Sequence, residues 1–168
     1  AYEGAYVKAP QKGRHKWIVS FDLNSLYPHL IMQYNISPET ILGTWQDDIG
    51  VDGLLNKEFD TSIWKEKNVT VTPNGSVYRK DKQGFLPKLM ESMYNDRVTY
   101  KKLMIEEQKK GRNADPNKLS QYYNYQQNLK IALNSAYGAM GNQWFRYYDE
   151  RNAEAVSVAG QLSVQWAE

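Results

Sequence analysis

PKLMESMYNDRVTYKKLMIEEQKK at 87–110, GRNADPN at 111–117 and KLSQYYNYQQNLKIALNSAY at 118–137 decide the fold. The first block is built from strong helix formers, with Leu89, Met93, Tyr100, Leu103 and Met104 among its apolar positions, and Pro87 sits where a first helical turn tolerates it. Gly, Asn, Asp and Pro in the second block stop that helix; the third block restarts one that Gly138 is expected to end. Two helices joined by so short a turn pack antiparallel. A turn centred near Ala114 puts Arg97 opposite Ile131 and Lys101 opposite Gln127, with Lys130 between them. Arg97 and Lys101 share one helix face, and Lys130, Asn134 and Tyr137 form a stripe on the other helix. Three cations at one height repel each other unless an anion of several charges, such as a triphosphate, lies among them. Scattered lysines also simply solvate a helix face, and geometry alone leaves both readings open.

The charge is not spread evenly, which is a first functional hint. Nine Lys or Arg against five acids lie between Phe85 and Lys130, a local +4 in a chain of 168 residues whose formal net charge is +2. The chain has 13 Tyr and 5 Trp against 4 Phe, and tyrosine suits surfaces that meet bases, sugars or protein partners, although core edges take most of them. With 24% charged and 41% hydrophobic residues, neither a disordered nor a membrane chain fits. No apolar run nears the roughly 20 residues of a bilayer span, and no signal peptide opens the sequence. The absence of Cys removes disulfides, zinc ribbons and thiol nucleophiles, and agrees with a reducing cytosol. With two His, any metal is expected to be a hard cation held by oxygen.

Upstream, residues 1–16 look irregular and Trp17-Ile18-Val19-Ser20-Phe21 reads as a short buried strand. Asp22 ends it, a helix is expected from Ser25 to about Tyr34, and Pro38 closes the unit. A carboxylate at a strand end is costly to desolvate unless it is paired, hydrogen-bonded or on a metal. The helix start after it offers free N–H groups to an anion. Asp22 as a plain turn or N-cap residue remains the competing reading at this point. Residues 41–83 read as β-rich and loop-rich, with Val69–Thr72, Pro73-Asn74-Gly75 and Ser76–Tyr78 forming a hairpin signature. Asn68-Val69-Thr70 matches a glycosylation acceptor only formally. Gln143–Tyr148 is aromatic and expected to be extended, and 150–168 is expected to be helical up to Glu168. The fold class is α+β.

These segments carry a resemblance. DLNSLYP at 22–28 resembles motif A of the family B (alpha-like) DNA-directed DNA polymerases, and KIALNSAYG at 130–138 resembles their motif B. GFLPKLMESMYNDRVTYKK from Gly84 is similar to the first fingers helix, and YEGAYVKAP at the start resembles the Tyr-Xaa-Gly-Gly/Ala segment bordering the palm. NISPET at 35–40 and GNQWFRYYDERNA at 141–153 most resemble the replicative polymerases of T-even-like phages. The resemblance implies an N-terminal part of a palm at 1–83 with a β-rich insert at about 41–83. Fingers at 84–141 would have helices at about 87–110 and 118–137, and 142–168 would return into a truncated palm.

It also implies roles. Asp22, Tyr27 and Lys130 would be catalytic, with Asp22 and the Leu23 carbonyl holding metal in an enzyme that uses two Mg²⁺ ions. Backbone N–H groups around Ser25 and Leu26 would receive the triphosphate of a dNTP, and Tyr27 would exclude a 2′-hydroxyl. Arg97, Lys101 and Lys130 would grip the β- and γ-phosphates, with Asn134 lining their pocket. Tyr137 and Gly138 would check the nascent base pair, while Tyr2, Gly4 and Ala5 would lie along the template strand. Implied partners are primer–template DNA, dNTP, and the palm, thumb and exonuclease regions or a complementary chain, in the cytoplasm of a host and not at a membrane.

The departures matter too. His29 stands where many members have Ser, with little expected consequence, and the loop between the fingers helices is short. The Asp-Thr-Asp tripeptide of motif C is absent, and Asp47-Asp48 and Asp149 lie in the wrong contexts to replace it. Two cations need ligands from more than one strand, so the isolated chain is expected not to polymerise. The rival reading is a non-catalytic nucleotide- or DNA-binding module or one half of a split polymerase; a helical interaction protein would require the basic stripe to be coincidental. Ala1 in place of Met and a helix running to Glu168 favour a cut or processed piece.

Overall fold

A computed structural model describes residues 4–45 and 49–168. Tyr2 and the Asp47-Asp48 pair therefore lie outside the described residues. The fold is α+β: the described residues form six α-helices and a small antiparallel sheet. In chain order the elements are α1 (Leu26–Tyr34), β1 (Ile41–Thr44), α2 (Val51–Leu55), α3 (Ser62–Glu66), β2 (Val69–Val71) and β3 (Ser76–Arg79). Then come α4 (Phe85–Lys109), a 3₁₀ turn (Gly111–Asn113), α5 (Pro116–Met140) and α6 (Glu150–Ala167). No described helix is long and apolar enough to cross a membrane.

The sheet order is β1-β3-β2. Val71 faces Val77 and Thr70 faces Tyr78 across the hairpin, and Ile41 faces Tyr78 on the other edge. The turn works because Gly75 takes φ +79°, a region closed to most side chains. Asn74 at its tip donates from Nδ2 to the Arg151 carbonyl and to Glu154 Oε2 (both 3.1 Å), docking the hairpin on α6. Tyr78, fully buried, donates its O–H to Asn152 Oδ1 at 2.8 Å. The main core joins α1, β3, α4, α5 and α6 through Ile31, Tyr78, Met90, Leu133, Met140 and Val156.

The two long helices pack against each other as an antiparallel hairpin. α5 starts at Pro116, two residues before its expected start, because Asp115 accepts hydrogen bonds from the Asn117 and Lys118 N–H groups and Pro116 fills the first position. Glu107 seals the tip: its carboxylate accepts the Asp115 N–H at 2.9 Å and the Lys110 ammonium at 2.6 Å. The centre of the turn is therefore nearer Asn113, and Arg97 lies level with Asn128, Lys101 with Asn124 and Lys130 with Asn95. The ring contact between Tyr100 and Tyr125, 4.9 Å between centroids, fits this register.

Three sequence expectations are corrected. Trp17–Phe21 is not a buried strand: Trp17 is 97% and Phe21 90% exposed, because no described strand lies beside the segment to pair with it. Gly138 does not end α5, which continues to Met140; the burial of Met140 outweighs the roughly 1 kcal/mol that an interior glycine costs. Gln143–Tyr148 is not extended but turns twice, with Phe145 N–H bonded to the Asn142 carbonyl and Tyr148 N–H to the Phe145 carbonyl.

Candidate nucleotide site

After Asp22 the chain must turn from an extended run into α1, and Ser25 makes the turn with a left-handed backbone (φ 54°). Its carbonyl then accepts the His29 N–H (3.1 Å), with His29 Nδ1 also at 2.9 Å. No side chain caps α1, and Pro28 in its first turn has no N–H, so Leu26 and Tyr27 present unbonded N–H groups at the helix start. Those groups border a cavity of about 1080 Å³ lined by Asp22, Leu23, Ser25, Tyr27, Asn134 and Tyr137 among others. Sequence-predicted residues from segments more than one hundred positions apart thus meet at one opening. The Asp22 carboxylate is exposed and makes no hydrogen bond or ion pair with another described residue.

Arg97, on one face of α4, reaches this site: Nη1 lies 3.5 Å from Ser25 Oγ, while Nε is buried with no hydrogen-bond partner among the described residues. A guanidinium held with an unbonded buried donor costs free energy until an acceptor arrives. Lys101 and Lys130 are exposed and have no ion pair among the described residues. By helix rise Lys130 stands about 3 Å below Arg97 and about 9 Å below Lys101 along the hairpin. The cations of the helical hairpin therefore form a stripe rather than a single ring, and Asn134 and Tyr137 continue it towards the cavity.

Tyr27 and Tyr137 face each other at 4.6 Å between centroids. Burial, and then the neighbouring Tyr137 phenol, push the Tyr27 pKa above its ordinary value, so it remains a neutral phenol. α6 holds both rings. Ser157 Oγ is 2.5 Å from the Tyr137 hydroxyl, and the Tyr27 ring lies so close to Gly160 that a Cβ there would sit 3.0 Å from Tyr27 Cε1. Ser157 and Gly160 are the residues that sequence reasoning missed; the only signal was a pair of small residues three apart in a helix.

His29 packs edge-on against Tyr94 of α4 at 4.6 Å, joining α1 to α4. Gly138 is exposed, and a Cβ there would meet nothing. Gly4 and Ala5 do not border the Asp22 cavity: the Gly4 carbonyl accepts from Gln161 Nε2 at 2.6 Å, and Ala5 lines a second cavity of about 880 Å³ with Asp52, Glu58 and Glu154.

A match to DNA polymerase family B spans residues 1–166. The chain belongs to DNA polymerase family B. It is 34% identical to the DNA-directed DNA polymerase of Escherichia phage RB69 and 32% identical to that of Enterobacteria phage T4, covering 99% of this chain in both. It is also 35% identical, over 96% of the chain, to DNA polymerase 1 of Pyrococcus abyssi. The family B chain spans 23% of the length of the two phage relatives and 18% of the archaeal one. The T-even phage likeness expected from NISPET and GNQWFRYYDERNA thus holds.

Proposed function

We propose that this chain is the nucleotide-binding fingers, with part of the palm, of a template-directed DNA polymerase, working in the cytoplasm of a host. The observation that carries this reading is Arg97, whose Nε is buried without a partner among the described residues and whose Nη1 is directed at Ser25, a residue that lines the cavity with Asp22 and the start of α1. Arg97 and Lys101 on α4 and Lys130 on α5 bind the β- and γ-phosphates of a dNTP, and Leu26 and Tyr27 N–H groups take further oxygens. Tyr27, backed by Gly160 and Tyr137, limits the space beside the sugar and disfavours a 2′-hydroxyl. Asn134 borders the phosphates; Tyr137, oriented by Ser157, and Gly138, which bears no side chain, face the nascent base pair. Gly4 and Ala5, with Tyr2, serve the template strand.

Asp22 fits a divalent cation, because its carboxylate is exposed, has no ion pair among the described residues and is followed by the Leu23 carbonyl, a second hard oxygen donor. Bound Mg²⁺, two ions in the intact enzyme, supplies activation of the primer 3′-hydroxyl and stabilisation of leaving pyrophosphate. Among the described residues no group of three His, Cys, Asp or Glu is placed to hold a metal. The remaining carboxylates come from palm residues outside this chain, and the chain alone does not extend primers. Primer extension by the purified chain, free of contaminating polymerase, refutes that inactivity. In a complete polymerase carrying this segment, Lys130→Ala is expected to weaken dNTP binding by about 1–3 kcal/mol, the scale of a charged hydrogen bond. Unchanged affinity refutes the phosphate assignment.

A further inference from the structure

We propose that Asn35 is a positioning residue for nucleotide binding: its carboxamide fixes the angle at which α4 leaves α1, and so the place of Arg97 and Lys101. The inference rests on the assignment of that cationic face to a triphosphate. Asn35 closes α1 in a left-handed conformation (φ 59°), with its N–H bonded to the Ile31 carbonyl. Asparagine tolerates that backbone better than most residues. Its side chain, buried with the residue at 8% exposure, is fully used. Nδ2 donates to the Arg79 carbonyl (2.7 Å) and the Lys82 carbonyl (2.9 Å), and Oδ1 accepts the Gly84 N–H (2.8 Å). One side chain thus joins the end of α1, the end of β3, the connection after it and the residue that precedes α4.

The same turn supplies the rest of the cap. Glu39 Oε1 accepts the Phe85 N–H at 2.5 Å, and Ser37 Oγ lies 3.4 Å from the Leu86 N and donates to Glu39 Oε2. Gly84 is pressed against this turn: a Cβ there would fall 2.6 Å from Ser37 Cβ. The first N–H groups of α4 are therefore bonded to the turn that ends α1. Arg97 lies about 20 Å and Lys101 about 26 Å along α4 from Gly84. A tilt of about 10° at that anchored end displaces Arg97 by about 3.5 Å, more than the whole length of a charged hydrogen bond.

Asn35→Gly keeps the left-handed backbone and deletes the carboxamide, so it separates the hydrogen bonds from backbone strain. Asn35→Asp keeps an acceptor for Gly84 and replaces Nδ2, which gives both donated bonds, by one oxygen facing the two carbonyls. Two readouts test them. In the 168-residue chain, hydrogen exchange at the Gly84 and Phe85 amides is expected to quicken about tenfold or more while the Met90 and Leu133 amides keep their protection. In a polymerase polypeptide carrying this segment, single-turnover incorporation is expected to show the dNTP Kd raised about tenfold, with primer–template Kd changed by less than about twofold. A general loss, in which primer–template and dNTP affinity fall in step, overturns the proposal, as does unchanged dNTP affinity once the amides are shown to exchange freely. If Asn35→Gly does not fold, Asn35→Asp is read by the same two criteria. Lys130→Ala measured in parallel separates the failures. If it leaves dNTP affinity unchanged, the phosphate assignment falls; if it weakens binding and the Asn35 variants do not, only the positioning role falls.

Discussion

Replacing Gly160 by Ala tests the contact between α6 and the sugar-facing tyrosine. The new Cβ would lie 3.0 Å from Tyr27 Cε1 and 3.7 Å from Leu30 Cδ1. The second distance is ordinary contact; the first requires the ring to yield. In an unhindered helix interior the substitution stabilises by about 1 kcal/mol. Here the Tyr27 ring also packs on Tyr137 at 4.6 Å between centroids, and Tyr137 is bonded to Ser157, so moving the ring disturbs that contact. Overpacking of this kind costs about 1–3 kcal/mol. The net expectation is a loss of about 1 kcal/mol, a fall in Tm of about 2–4 °C for a chain of this size. In a Tyr27→Ala background the obstacle is gone, and the same substitution is expected to stabilise by about 0.5–1 kcal/mol. Thermal and urea unfolding of the four proteins then give a coupling of about 2 kcal/mol. If Gly160→Ala stabilises both backgrounds alike, with coupling below about 0.5 kcal/mol, Tyr27 is not wedged between α6 and Tyr137 and the reasoning fails.

Further outcomes follow from the same geometry. In a complete polymerase, Tyr27→Ala is expected to admit ribonucleotides more readily, and unaltered dNTP-to-rNTP discrimination removes the sugar-gate role. Tyr137→Phe leaves the fully buried Ser157 hydroxyl without its bond and is expected to cost about 1–3 kcal/mol, most of it recovered when Ser157→Ala is added; denaturant unfolding measures both. Burial alone would raise the Glu39 carboxyl, but the Ser37 hydroxyl, the Phe85 N–H and Lys82 outweigh it and hold the group below its ordinary value of 4.5. As pH falls the unfolded chain takes up that proton first. Stability present above pH 4.5 is then withdrawn as pH drops through the lower folded value, and Glu39→Gln is expected to flatten that part of the pH–stability profile.

The helical hairpin was legible because its composition, its stop signals and its turn all agree, and the cationic stripe follows from helical spacing once two helices are granted. Its register was less so: Asp115 and Pro116 together mark the start of α5, but reading the first helix to Lys110 and the second from Lys118 shifts every cross-helix pairing by three positions. Gly138 misled because local propensity is weaker than the tertiary burial of Met140. Trp17–Phe21 has the composition of a strand, yet pairing is a property of two segments and no described neighbour supplies the second. Asp22, Tyr27, Asn134 and Tyr137, each singled out from its motif, line one cavity. Ser157 and Gly160 stayed hidden since their importance is defined only by the rings of Tyr27 and Tyr137, far away in the chain.

The Glu107 clasp bears on how such a hairpin can change in length. Because its carboxylate reaches from one helix to the first residue of the turn's far side, the outer end of the hairpin is a closed fitting. Cutting a few residues from only one limb would rotate its outer half by about 100° for each residue removed and slide it against its neighbour. Lys130 would then no longer share a side with Arg97. Shorter or longer versions of this hairpin are compatible with the same grip only when both limbs change together, by equal numbers of helical turns.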